Sequence, residues 1–110
     1  MSLKKLVKVS KAPTGVDVAG VLAARGTRYG PFKGHAGIAQ SLKRVMRRSP
    51  SWDYLPDDSR EALEMIVHKI ARVLNEGADV AYPDNFVDIA GYAKLVADRL
   101  TEEQSGKPAP

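Results

Sequence analysis

The sequence predicts an all-α fold: a small helical domain built on an antiparallel helix pair, with two shorter helices ahead of it. Three observations carry this prediction. Between Pro56 and Gln104, apolar residues recur at three- and four-residue intervals. The two periodic stretches are parted by a short segment around Gly77 and Pro83, and short connections make antiparallel neighbours. The chain has 110 residues, 44% of them hydrophobic, which suits one domain with one core.

Residues 1–13 read as a lysine-rich arm ending at Pro13, with Leu6, Lys8 and Val9 alternating as in a short strand or a mobile segment. The single helical domain is expected over 14–104. Its first helix runs from Val16 to Ala24, with Gly26 as a stop. Residues 26–34 contain three Gly and one Pro and read as a loop. The second helix covers His35–Arg48, with Ile38, Leu42 and Val45 as its apolar stripe. Arg47 and Arg48 in its last turn complement the helix dipole, and Pro50 ends it.

Ser51–Leu55 forms a turn or one-turn helix in which Trp52 and Leu55 seal the core edge. The third helix starts at Pro56 or Asp57 and ends at Asn75 before Gly77. Leu63, Ile66, Val67, Ile70, Val73 and Leu74 form its expected buried face. The fourth spans Asp84–Gln104, with Phe86, Ile89, Ala90, Ala93, Val96, Ala97 and Leu100 turned inward. Residues 105–110 are expected to be a disordered tail.

Composition narrows the function classes. There is no cysteine, hence no disulfide framework and no thiolate metal site, and a reducing compartment is expected. The only histidines are His35 and His68, without His-x-x-x-His pairing, which argues against zinc. No phosphate-binding Gly-Lys-Ser/Thr loop and no nucleophile-elbow serine occurs. The apolar runs are too short for a signal-peptide core or a membrane span, so a soluble cytoplasmic protein without membrane partners is expected.

Charge is unevenly distributed. Residues 1–50 carry eleven Lys and Arg against one acid, Asp17, whereas residues 51–110 carry six bases against twelve acids. A basic half seeks phosphates or an acidic surface, and here the acidic half of another copy is one candidate, which points to a homo-oligomer. The cluster Lys43, Arg44, Arg47 and Arg48, with the arm, also fits nucleic acid, but the twelve acids disfavour an extended duplex footprint.

Subtracting the expected core leaves two groups. Glu61, Met65, His68 and Arg72 share the far face of the third helix, flanked by Glu64 and Lys69. Asp84, Asp88, Tyr92, Leu95 and Arg99 share a face of the fourth, beside Gly91, whose mid-helix cost implies the close approach of a backbone or ligand. The segment Arg28-Tyr29-Gly30-Pro31-Phe32-Lys33 supplies cations for phosphate oxygens and flat rings for a base. Glu61, Glu64, Asp84 and Asp88 offer hard oxygen ligands for Mg²⁺ if the two helices face each other.

Three segments together resemble a family of small uncharacterised bacteriophage and prophage proteins. They are Arg28-Tyr29-Gly30-x-Phe32, then Glu61-Ala62-Leu63-Glu64-Met65-Ile66-x-x-Lys69-Ile70-Ala71-Arg72, and then Asp84-Asn85-x-x-Asp88-Ile89-Ala90-Gly91-Tyr92-Ala93. The resemblance spans about residues 20–100. It implies a phage setting inside an infected cell, with nucleotide metabolism or interference with host immune signalling as expected roles. The carboxylate spacing is also similar to MazG-type all-α nucleotide pyrophosphohydrolases. That pattern is a Glu-x-x-Glu pair followed by Glu-x-x-Asp. Here the second pair departs from it, because Asp84 and Asp88 are four apart and the glutamate is missing.

The leading expectation is a helical protein that sequesters a small phosphate-bearing nucleotide without turnover and without a cofactor. Arg28, Lys33, Lys69 and Arg72 would hold phosphates, Tyr29 and Tyr92 would meet a base, and Asp88 would accept a hydrogen bond or orient Lys69 or Arg72. The alternatives are an Mg²⁺-dependent pyrophosphohydrolase using Glu61, Glu64, Asp84 and Asp88, and a module that binds nucleic acid or inhibits a host protein.

Overall fold

All four prolines among the described residues stand at helix entries, where the missing N–H costs little. The computed structural model describes residues 16–106, so the expected arm and the end of the expected tail lie outside the described residues. Pro31, Pro56 and Pro83 are N-cap residues, and Pro50 opens a 3₁₀ turn. The helices are α1 (Val18–Tyr29), α2 (Phe32–Arg47), α3 (Asp57–Leu74) and α4 (Asp84–Gln104), with the 3₁₀ turn Pro50–Tyr54 between α2 and α3. Among the described residues there is no strand, and one antiparallel bridge joins Tyr29 to Ala78. The fold is all-α, with two N-terminal helices followed by a helix pair.

The junction of α1 and α2 differs from the expected long loop. Gly26 does not stop α1; the helix continues through it to Tyr29. The stop is Gly30, at φ 76° and ψ −175°, a conformation essentially reserved for glycine. Its amide donates to the Gly26 carbonyl at 2.9 Å. Pro31 follows with φ −62° and starts α2 at Phe32 rather than at His35. The proline ring bars a helical Gly30 while its own fixed φ prepares the next helix, so two residues do the work expected of nine.

Asn75, directly after α3, clamps this junction. It is buried, and its Nδ2 donates to the Tyr29 carbonyl at 2.7 Å and to the Pro31 carbonyl at 2.8 Å. Gly34 makes room for it, since a Cβ there would stand 2.5 Å from Asn75 Oδ1.

The central element is α3, packed against α2 on one side and α4 on the other. Arg47 Nη2 of α2 reaches Glu64 Oε1 at 2.6 Å. Along α4, Lys69 Nζ meets Asp88 Oδ2 at 3.0 Å and Arg99 Nη2 meets Asp58 Oδ1 at 2.8 Å, which fixes the antiparallel register.

The expected core is only partly formed. Val67 is buried, but Leu63, Leu74, Phe86 and Leu100 are 40%, 61%, 58% and 42% exposed, and Ala90, Ala93 and Ala97 are exposed with them. The buried apolar residues are Ala39, Ala62, Val67 and Ala71, and among the described residues no large side chain is fully buried. The reason is angular. At 3.6 residues per turn, the buried positions Val67 and Ala71 lie nearly opposite Ala62 and Lys69. The two neighbours of α3 therefore flank its apolar stripe, and Leu63 and Leu74 look out between them.

Candidate functional site

A cavity of about 650 Å³ opens where the Gly30–Pro31 junction lies against α3. Leu22, Arg25 and Tyr29 of α1, Phe32 and His35 of α2, and His68 and Arg72 of α3 line it. The local sequence explains the arrangement. Leu22, Arg25 and Tyr29 are spaced at three and four along α1 and share a face, as do His68 and Arg72 along α3. The tight junction turns Phe32 and His35 back toward the same space.

Cations and rings meet here. The Arg72 guanidinium lies over the Tyr29 ring, 4.1 Å from its centroid, so the ring face holds the cation in place. Phe32 is 76% exposed, an unusual state for that residue, and its ring tilts against His35 with centroids 5.9 Å apart.

His35 and His68 stand edge to face, with centroids 4.5 Å apart and His35 Nε2 3.4 Å from His68 Nδ1. Burial, then the Arg72 charge, lowers the pKa of His35. Burial, then its histidine neighbour and Arg72, lowers that of His68 to about 4. Both rings are thus neutral at neutral pH. His35 is 5% exposed, and its Nδ1 is buried without a well-formed hydrogen bond.

Of the seven expected ligand residues, Tyr29 and Arg72 meet in this cavity. Arg28 turns away: its Nη1 donates to the Tyr82 hydroxyl at 2.6 Å, which donates to Asp84 at 2.6 Å. That hydrogen bond to Asp84 raises the Tyr82 pKa. Lys33 lies in a separate depression with Gly34, Asn75 and Gly77. Lys69 is nearly buried and paired with Asp88 at 3.0 Å. Asp88 and Tyr92 line an open groove with Val87, Gly91 and Leu95. A Cβ on Gly91 would meet nothing within 4 Å, so the close approach expected there is not made within the chain.

The four carboxylates considered for Mg²⁺ do not converge. Glu64 is taken by Arg47, Asp88 by Lys69 and Asp84 by Tyr82, while Glu61 is exposed. Among the described residues no group of three or more potential metal ligands occurs. No described helix is long and apolar enough to cross a membrane. Within the basic cluster on α2, Arg47 is held by Glu64, and Arg44 donates to Ser41 at 3.2 Å.

No family model, curated protein or solved structure matches the chain. The cavity therefore stands on its own chemistry.

Sequence reasoning offered Phe32 beside Tyr29 as a flat ring for a base, but missed Arg25 and the pairing of the two histidines. The signal for Phe32 was present, because it flanks the same junction. The histidine pair is 33 residues apart in sequence and left no local pattern.

Proposed function

We propose that this protein binds a small phosphate-bearing ligand of the nucleotide class in the cavity under the Gly30–Pro31 junction, and holds it without chemical change. The observation that carries the reading is the convergence of Arg25 and Arg72 with two aromatic rings and the buried His35 in one cavity. Its volume of about 650 Å³ is within the usual range for small-molecule sites. Arg72 and Arg25 hold phosphate oxygens, for which the guanidinium fork is suited. Phe32 offers its exposed face to a base. The neutral histidines give hydrogen bonds from their ring nitrogens, and a phosphate beside them favours proton uptake. Sequestration of a nucleotide signal of host immunity, the setting implied by the phage-protein resemblance, is the context in which tight binding without turnover has a use.

The test is calorimetric titration with inorganic phosphate, mononucleotides, linear dinucleotides and cyclic dinucleotides. One nucleotide class is expected to bind, with affinity reduced at least tenfold by Arg72→Ala and by Phe32→Ala. Chromatography of the ligand after overnight incubation should return it intact. Absence of binding across the panel, or indifference to Arg72→Ala, refutes the site. Conversion of the ligand refutes sequestration.

A further inference from the structure

One run of apolar residues left partly in the open lies along one side of α4, apart from Val87 and Leu95, which are exposed elsewhere on the helix. Phe86, Ile89, Ala90, Ala93, Val96, Ala97 and Leu100 follow one another at steps of three, one, three, three, one and three. That series reads the same in both directions, with Ala93 at its centre. Ile89 and Val96 are half-buried against α3, while Phe86, Ala90, Ala93, Ala97 and Leu100 are exposed.

A two-fold axis through Ala93 lays such a stripe antiparallel on its own copy. Phe86 then meets Leu100 of the second copy, Ile89 meets Ala97, Ala90 meets Val96, and Ala93 meets Ala93. Large residues fall opposite large ones at the ends, and each central pair contains an alanine, which permits close helix approach. No charged residue occurs in the stripe, so the symmetry brings no like charges together. The ion pairs Lys69–Asp88 and Asp58–Arg99 set the register of α3 on α4, and in that register Leu63 stands level with the middle of the stripe. Leu63 and Leu74 on α3 and Val45 on α2 (57% exposed) are further apolar residues left in the open.

We infer that α4 is the seam of a two-fold symmetric dimer, antiparallel to its copy and centred on Ala93. The area supports a contact. With roughly 150–250 Å² for a fully exposed large side chain, Val45, Leu63, Leu74, Phe86 and Leu100 together show about 500 Å². This lies within the ~300–600 Å² of the largest apolar patch on a typical monomer, which is often a contact surface, and below the ~800 Å² per partner of a standard interface. The inference is independent of any ligand.

Sedimentation equilibrium of the full chain at 5–50 µM, read against the 11.9 kDa chain mass, gives the first result. A dimer is expected, and a monomer throughout overturns the inference. The chain has no cysteine, so single-cysteine variants report proximity cleanly. Ala93→Cys should form a disulfide-linked dimer at least tenfold faster than Leu95→Cys, which sits on the opposite side of α4. Equal rates, or faster linking by Leu95→Cys, overturn it. Ala93→Glu should give a monomer of the same helix content or an unfolded chain. A folded dimer of Ala93→Glu refutes the seam.

Discussion

Replacing Asn75 with alanine should loosen the α1–α2 junction from α3. The Asn75 amide supplies hydrogen bonds of 2.7 and 2.8 Å to the Tyr29 and Pro31 carbonyls. Each contributes about 1 kcal/mol net, and carbonyls left unpaired in a buried place raise the total to about 2–3 kcal/mol. For a domain of this size that corresponds to a fall in Tm of about 10–20 °C. Asn75→Asp is the sharper probe. At pH 7.5 it points carboxylate oxygen at two carbonyls and should be less stable than Asn75→Ala. When protonated, its carboxyl regains one donor, so at pH 4 the order of the two variants should invert. Comparing variants at the same pH and protein concentration removes other titrations and any association term. Urea unfolding followed by circular dichroism and by the single tryptophan, Trp52, measures all three proteins. A cost under ~0.5 kcal/mol for Asn75→Ala, below the net worth of a single hydrogen bond, would refute the clamp. So would identical behaviour of the Asp and Ala variants at both pH values.

Other outcomes follow from the same structure. Both histidine pKa values are depressed below 6.5, so the unfolded chain binds more protons as pH falls below that value. Stability should therefore be full above pH 6.5 and decline toward pH 4, by on the order of 2 kcal/mol for His68 after allowance for its partial exposure. Thermal midpoints across pH 4–8 should show this slope, and His68→Gln should flatten it. Asp88→Asn leaves the nearly buried Lys69 ammonium without its partner. It should cost about 1–3 kcal/mol, with less lost when Lys69→Met is added, as read in a double-mutant cycle. Gly30→Ala sets a side chain at positive φ against the Glu76 carbonyl oxygen, and a loss of about 3 kcal/mol is expected in urea.

Much of the fold was legible because its signals are local. Proline entries, apolar periods and Gly77 placed α3 and α4 within a residue or two of their observed ends. Gly26 misled because a glycine is a stop only where the chain needs a positive φ. That need arose at Gly30, under pressure from Pro31. Treating Arg28 through Lys33 as a loop also concealed direction. Once Tyr29 and Phe32 are the last and first residues of two helices, Arg28 and Lys33 project elsewhere, and the four do not act together. The apolar stripes of α3 and α4 were expected to be buried faces, yet Leu63, Leu74, Phe86 and Leu100 are exposed. A stripe does not say whether the cover is the same chain, and here α2 and α4 flank α3 without closing over Leu63 and Leu74. The His35–His68 pair was not legible at all, since it exists only through the packing of α2 on α3.

The attachment of α1 has a mechanical consequence. None of its twelve residues is buried, and its long-range ties among the described residues are at the C-terminal end, through the Arg28–Tyr82 and Tyr29–Asn75 hydrogen bonds and the Arg72–Tyr29 contact. It is a cantilever, anchored at one end and carrying Leu22 and Arg25 partway along as one wall of the cavity. A small rotation of α1 about Gly30 would change the opening of the cavity without breaking a contact among α2, α3 and α4. A guest that grips Arg25 stiffens that beam, so backbone amides of α1 should be the first in the chain to slow their hydrogen exchange when the cavity fills.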